Sequence, residues 1–439
     1  MAKLQSINPS NYQVLGEVEV SSPQEITEKV RLARSAQKEW RDLGVAGRVS
    51  ILRKAFEEFE SKKEELTLLE AREMEMPIRD ALGGFDSAFD YANWYFDNAE
   101  KYLSPETTFE DDKEIHQVFY EPIGVVAVIT PWNFPFDNFI WGSLQSLIAG
   151  NTVVLKHSEE CLLCGKFIED VMCRHLPKGV FAEVYGDGEV GKLLVEQNIN
   201  MIAFTGSTKT GKYLYEVAGR KFIKAVMELG GSAPGIIFED ADFDLAVGNA
   251  CSNRLANQGQ CCDGLKRLIV HESIFDEVVK KVAAEFSTKK VDNAEEKDTQ
   301  VGPLVAKRQL DALVSQVEDA KEKGATVVAG GNSLEEKMGG AFFEPTVLVD
   351  VTSAMRVWKE EVFGPVLPII KFKTENEAIE FANQTSYGLG AYVYTQNKER
   401  AQRVSALIES GMISVNGTNY GMPFNPFGGY KNSGFGREH

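Results

Sequence analysis

Short apolar runs and helix-period segments alternate through most of this chain, and that alternation constrains the fold more than any other feature. The run "VFYEPIGVVAVITP" (118–131) precedes a helical stretch beginning near Phe136, and "TVVLK" (152–156) precedes a helix running to about Arg174. "FAEVY", a short helix and "MIAFTG" then lead into a helix after Gly211. Strands separated by helices of this length predict parallel βαβ units. The pattern resumes after Glu228 with "APGIIFE", a helix near 242–257, "KRLIVH" and a helix near 273–286. "STKKVDNAEEKDTQ" (287–300) reads as a surface loop, and "ATVVAG", "VLPIIKF", "GLGAYVYT" and "GMISVNG" continue the strands beyond it. The expected fold class is therefore α/β, with two α/β lobes divided near residues 229–233. The first hundred residues read as amphipathic helices, most clearly over 46–73.

Charge and cysteine content narrow the partners. Lys and Arg number 47 against 65 Asp and Glu, a formal charge of −18. Phosphate backbones and anionic lipid surfaces repel such a chain, so neither nucleic acid nor membrane is an expected partner. The longest apolar runs are strand-length, too short to span a bilayer as a helix. Six cysteines in 439 residues make no disulfide framework, and a reducing cytoplasmic location is expected.

Four motifs bear on chemistry. "FTGSTKTGKY" (204–213) has the glycines and lysine of a nucleotide-triphosphate loop but offers Tyr213 where a magnesium-binding hydroxyl belongs. It is either a helix cap by Ser207 or Thr208, or an anion site at a helix start. "GDGEVG" (186–191) matches a dinucleotide fingerprint without the following acid, and a tight turn is expected there. In "NQGQCCDG" (257–264) two adjacent cysteines cannot share one pocket, so the loop presents one of them. Glu228, ending the strand in "MELGG", is either a surface residue or a desolvated base with a raised pKa. His157, Cys161, Cys164, Cys173 and His175 crowd one segment, but helical spacing keeps them from closing one tetrahedral metal site, and no metal is expected.

Together these motifs resemble the aldehyde dehydrogenase superfamily. "PWNFP" (131–135), "VVLKHSE" (153–159), "FTGSTKTG", "MELGG", "GQCC" (259–262), "EEVFGP" (360–365) and "NPFGGYKNSGFGRE" (425–438) occur in family order. The resemblance implies a Rossmann-like cofactor lobe (1–103 and 123–231), a bridging and oligomerisation hairpin (104–122), a catalytic lobe (232–415) and a return segment (416–439). It implies Cys262 as nucleophile, Glu228 as general base and Asn133 as oxyanion donor. The cofactor, NAD with NADP possible, would lie on Trp132, Lys156, Glu159, Gly206, Ser207, Gly211, Glu361 and Phe363. Family chains run past "GRE" into a strand that pairs with another subunit; this sequence stops at His439, so the implied assembly is a homodimer rather than a tetramer. The implied partner is a small-molecule aldehyde. Trp141 stands where relatives specialised for succinic semialdehyde carry an arginine, and with Phe427 it predicts a tunnel for uncharged aliphatic or aromatic aldehydes. Succinic semialdehyde itself, with Lys266 or Arg267 as its cation, is the alternative substrate. Other readings are a binding protein without turnover and a cysteine hydrolase acting on esters.

Overall fold

The computed structural model of the protein describes residues 2–418 and 421–439; residues 1, 419 and 420, inside the spans above, lie outside the description. Two twisted sheets carry the architecture. In the first, Lys224–Glu228, Met201–Thr205, Val125–Ile129, Thr152–Lys156 and Phe181–Glu183 lie parallel in that order. Every residue of Val125–Ile129 and Thr152–Lys156 is buried, as expected for central parallel strands covered by helices on both faces. The second sheet runs Thr326–Ala329, Thr346–Val349, Val366–Phe372, Leu265–His271, Ala233–Ile237, Gly390–Tyr394, Met412–Val415. Only its Thr326–Ala329 edge is antiparallel.

The chain leaves the first sheet at Glu228 and enters the second at Ala233. It then returns: Gly434–Phe435 pairs antiparallel with the edge of the first sheet, Gly434 opposite Glu228. That pairing sets Glu438 beside the end of the Glu228 strand, a neighbourhood the sequence reading did not foresee. Residues 106–118 form an exposed two-stranded hairpin, Glu106–Glu110 with Ile115–Val118.

Two local readings change. The chain opens with a strand pair, Lys3–Ile7 and Val14–Glu19, where helices were expected. The predicted 46–73 helix is two helices, Gly44–Ser61 and Lys63–Glu73, separated at Lys62, whose φ of −112° leaves the helical region. The second of these helices carries Glu70 and Glu73, which the site uses.

An aromatic cluster holds the element that bears Trp141. Phe136 stacks on Phe85 at 5.2 Å and meets Phe59 edge-on at 5.1 Å. The helix from Pro135 to Ile148 widens into a π-turn over Ile140–Leu144, a feature frequent at functional sites.

Candidate active site

Trp132 and Asn133, Lys156, Gly206 and Glu228 all lie at or just beyond the carboxyl ends of first-sheet strands. Open α/β sheets bind ligands at that edge. Two adjoining cavities occupy it. One, of about 610 Å³, is lined by Lys156, Ser158, Glu159, Gly188, Gly191 and Arg308, among others. The other, of about 320 Å³, is lined by Asn133, Trp141, Glu228, Cys262, Glu361 and Phe427, among others. Pro131, Trp132, Thr205, Gly206 and Ser207 line both, so the two form one continuous cleft.

The larger cavity fits a dinucleotide. Ser207 caps the helix Thr208–Lys221 through its side chain and leaves the first-turn amides open to the cleft. The Lys156 ammonium, lowered in pKa by burial, donates to the His157 carbonyl at 3.1 Å and lies 3.7 Å from Glu159. Gly211 departs from its expected place: it lines neither cavity, and a Cβ there would strike Leu229, so its role is close packing of helix on strand. "GDGEVG" is also more than a turn. Asp187 caps the helix Gly188–Glu196, and Gly188 and Gly191 line the cleft.

The smaller cavity gathers Asn133, Glu228 and Cys262. Asn133 is 5% exposed and donates Nδ2 to the Gln260 carbonyl at 2.9 Å. Because a side-chain amide carries two donor hydrogens, one remains for a ligand in the cavity. In return Asn257 donates Nδ2 to the Asn133 carbonyl at 2.7 Å. The loop bearing Asn133 and the cysteine loop are thus tied reciprocally. Across from them both Glu228 oxygens are buried without a hydrogen-bond partner among the described residues. Burial, with the neighbouring Glu438 carboxyl, pushes Glu228 well above its ordinary value. Burial and then Asp263 likewise raise the Cys262 thiol, with Lys266 opposing.

Glu361 is fixed by Lys266 Nζ at 2.6 Å and by the Gly231 amide at 3.0 Å. Side chains at Gly230 or Gly231 would collide with Glu361 and with the Cys262 carbonyl, which explains the paired glycines. Trp132 meets Phe363 edge-on at 5.5 Å. Lys266 also donates to the Cys262 and Gly231 carbonyls, so it braces the loop and does not enter the cavity. The thiol–imidazole cluster is dispersed: His157 pairs with Glu183 at 2.8 Å, His175 with Glu58 at 2.7 Å, and Cys173 is exposed.

Sequence reasoning missed the struts beneath the cysteine loop. Asn257, Gln258 and Gly259 are successively left-handed, with φ of 46°, 54° and 76°. Non-glycine residues so held cost on the order of 1–3 kcal/mol each and persist only under external support. The fully buried Arg254 supplies it, donating to the carbonyls of Gly259, Leu265, Val362 and Gly364. Arg254→Met orphans these acceptors and is expected to cost on the order of 3 kcal/mol, read as a drop in the denaturant midpoint. An unchanged midpoint would refute the strut.

Three carboxyls on "EAREME" brace the same region. Glu70 accepts the Phe136 amide at 3.1 Å, and Glu73 accepts the Leu163 and Cys164 amides. Glu75 accepts the Ala294 amide, while its carbonyl takes Gln258 Nε2. Burial pushes Glu70 and Glu75 up to about 8, from an ordinary 4.5. The folded state therefore retains protons that the unfolded chain has lost, so the contribution of these two groups is full below about pH 4.5 and is lost as pH rises through about 8. Melting temperature is expected to drop over that window, and Glu70→Gln to flatten the drop; an unaltered pH profile in the variant would contradict the assignment.

A dinucleotide cleft that opens onto a presented thiol is the architecture of a nicotinamide-dependent oxidoreductase. Residues 2–439 match the model of the aldehyde dehydrogenase family, and the chain belongs to that family. It is 35% identical to the succinate-semialdehyde dehydrogenase [NADP(+)] of Deinococcus radiodurans, covering 99% of this chain and 91% of that one. It is 36% identical to aminoaldehyde dehydrogenase 1, peroxisomal, of Pisum sativum, over 99% of this chain and 89% of that one. A solved NAD⁺ complex of a Bacillus cereus aldehyde dehydrogenase superposes with a TM-score of 0.96 at 35% identity, covering 100% of this chain and 90% of that one.

Proposed function

We propose that the protein oxidises an aldehyde to a carboxylic acid with NAD, through a covalent adduct on Cys262. The observation that carries this reading is the single 320 Å³ cavity on which Cys262, Glu228, Asn133, Glu361 and Phe363 converge. Cys262, its thiol proton released to water, bonds through Sγ to the aldehyde carbon, giving a thiohemiacetal oxyanion. The second Asn133 Nδ2 hydrogen and the Cys262 amide stabilise that oxyanion. The chemistry a bound nicotinamide supplies is hydride acceptance; Lys156, Glu159, Gly206, Ser207, Trp132, Glu361 and Phe363 would hold the dinucleotide. Cys262 then carries the acyl group as a thioester until Glu228 takes a proton from the attacking water. The product acid leaves and the thiol is restored.

In this reading 1–103 and 123–231 form the cofactor domain, 232–415 the catalytic domain, and the exposed 104–122 hairpin joins two subunits in a homodimer. Six free cysteines suit a reducing cytoplasm. Trp141 and Phe427 give the substrate end aromatic walls. The cations that could have served a second carboxylate are engaged elsewhere: Lys266 with Glu361, and Arg267 with the Ser232, Phe381 and Ala382 carbonyls. Uncharged aliphatic or aromatic aldehydes are therefore expected to outperform succinic semialdehyde.

The test is NADH formation with hexanal, benzaldehyde and succinic semialdehyde, each run with NAD and with NADP. Glu159 can accept both ribose hydroxyls and would repel a 2′-phosphate, so NAD is expected to win by about tenfold or more, ~1.4 kcal/mol. Equal efficiency with NADP would overturn the Glu159 assignment, a tenfold preference for the semialdehyde would overturn the substrate reading, and no aldehyde-dependent NADH at all would overturn the function.

A further inference from the structure

The larger cavity is walled almost wholly from one half of the molecule. Its lining residues run from Ile129 to Leu214, around the first sheet, with one exception among the described residues, Arg308. Arg308 belongs to the first turn of the helix Lys307–Glu322, whose Leu310, Leu313 and Val317 pack into the core of the second sheet. Its neighbour Gln309 lines the smaller cavity, so the start of this helix touches both.

From there Arg308 reaches Glu160, which lies between the strand Thr152–Lys156 and the helix Leu162–His175 of the first-sheet half. Nε and Nη2 donate to Glu160 Oε1 at 3.0 and 2.5 Å, and no hydrogen bond uses Nη1 among the described residues. The side chain is 54% exposed, so that amino group remains open to a ligand. Glu160 follows Glu159, a cavity residue, and two adjacent carboxylates oppose an anionic ligand. Burial raises Glu160, and the Arg308 charge acts against that rise. Arg308 thus supplies the counter-charge for one carboxylate and keeps a donor in reserve. The same cavity contains the open first-turn amides behind Ser207, the other feature there that attracts an anion.

We propose that Arg308 is a cofactor-binding residue supplied by the second-sheet half: it takes the diphosphate of the dinucleotide together with those amides, while Glu160 holds its guanidinium in place. The proposal rests on the aldehyde dehydrogenase reading and adds to it a contact from the half that carries Cys262. A guanidinium is always charged, and its fork of donors matches phosphate oxygens. Nη1 can serve one of those oxygens without breaking the Glu160 pair. Glu159 repels a 2′-phosphate, so the diphosphate, common to NAD and NADP, is the group left for Arg308. A diphosphate held by both halves leaves only when both contacts break, and Arg308 therefore sets how tightly the cofactor is kept.

The experiment is fluorescence titration of NADH and NADPH, without aldehyde, on the wild type and its variants. Arg308→Gln is expected to raise the NADH Kd about tenfold, and the NADPH Kd by a similar factor, since both carry the diphosphate. ADP-ribose, titrated by displacement of NADH, should lose as much, whereas adenosine, which has no phosphate, should lose less than about twofold. Arg308→Lys keeps the charge and should recover part of the loss. In a Glu160→Gln background, Arg308→Gln should still weaken NADH at least about fivefold, because the contact is direct. A loss confined to NADPH would put Arg308 on the 2′-phosphate and overturn the proposal. A loss shared by adenosine, or one that vanishes beside Glu160→Gln, would make Arg308 a brace and overturn it too, as would an unmoved NADH Kd. A wild-type protein that binds neither dinucleotide would instead overturn the underlying cofactor reading.

Discussion

Cys262→Ala lowers aldehyde oxidation by roughly 10⁴-fold or more, while Cys261→Ala retains most of it. Adjacent side chains cannot share one attack position, and these two face different surroundings. Cys261 is 7% exposed, its thiol faces the Ala256 carbonyl at 3.5 Å, and burial pushes it up to about 12. Cys262 lines the cavity instead, and its carbonyl is pinned by Lys266 at 2.8 Å. Steady-state rates of the two variants with one aldehyde suffice. If Cys261→Ala is the inactive one, the assignment is off by one residue.

Glu228→Gln separates oxidation from hydrolysis. Turnover is expected to fall by about 10²–10⁴, while a burst of NADH close to one per site survives, because the amide cannot take the proton of water. The wild-type pH profile carries the same signature. Glu228 is raised well above its ordinary value, so it is protonated and idle at low pH and becomes a base as pH rises. Activity should therefore climb as pH rises, with Cys262, also raised, contributing to the same limb. Stopped-flow NADH absorbance checks the burst; a Gln variant with no burst would move Glu228 to the first step.

Much of this was legible from residue order alone. Fully apolar runs such as Val125–Ile129 announce central parallel strands, and the motifs ending those strands converge because all the carboxyl ends lie on one edge. What stayed illegible acts across long sequence separations. Glu438 meets Glu228 only because a two-residue strand returns to the first sheet. Arg254 looks like a surface helix residue until the carbonyls of Val362 and Gly364 surround it. Lys266 could be weighed as a substrate cation because nothing in its neighbours reveals Glu361, ninety-five positions on. Gly211 matched a phosphate motif by spacing, yet spacing does not tell which side of a helix faces the ligand.

The most direct measurement of the central claim is mass spectrometry of Glu228→Gln incubated with NAD and hexanal, quenched in acid and digested. The account predicts one hexanoyl group on the peptide bearing Cys261 and Cys262, located by fragmentation on Cys262, in amount equal to the NADH burst. An acyl group on Cys261, or an NADH burst with no acylated cysteine, would contradict it.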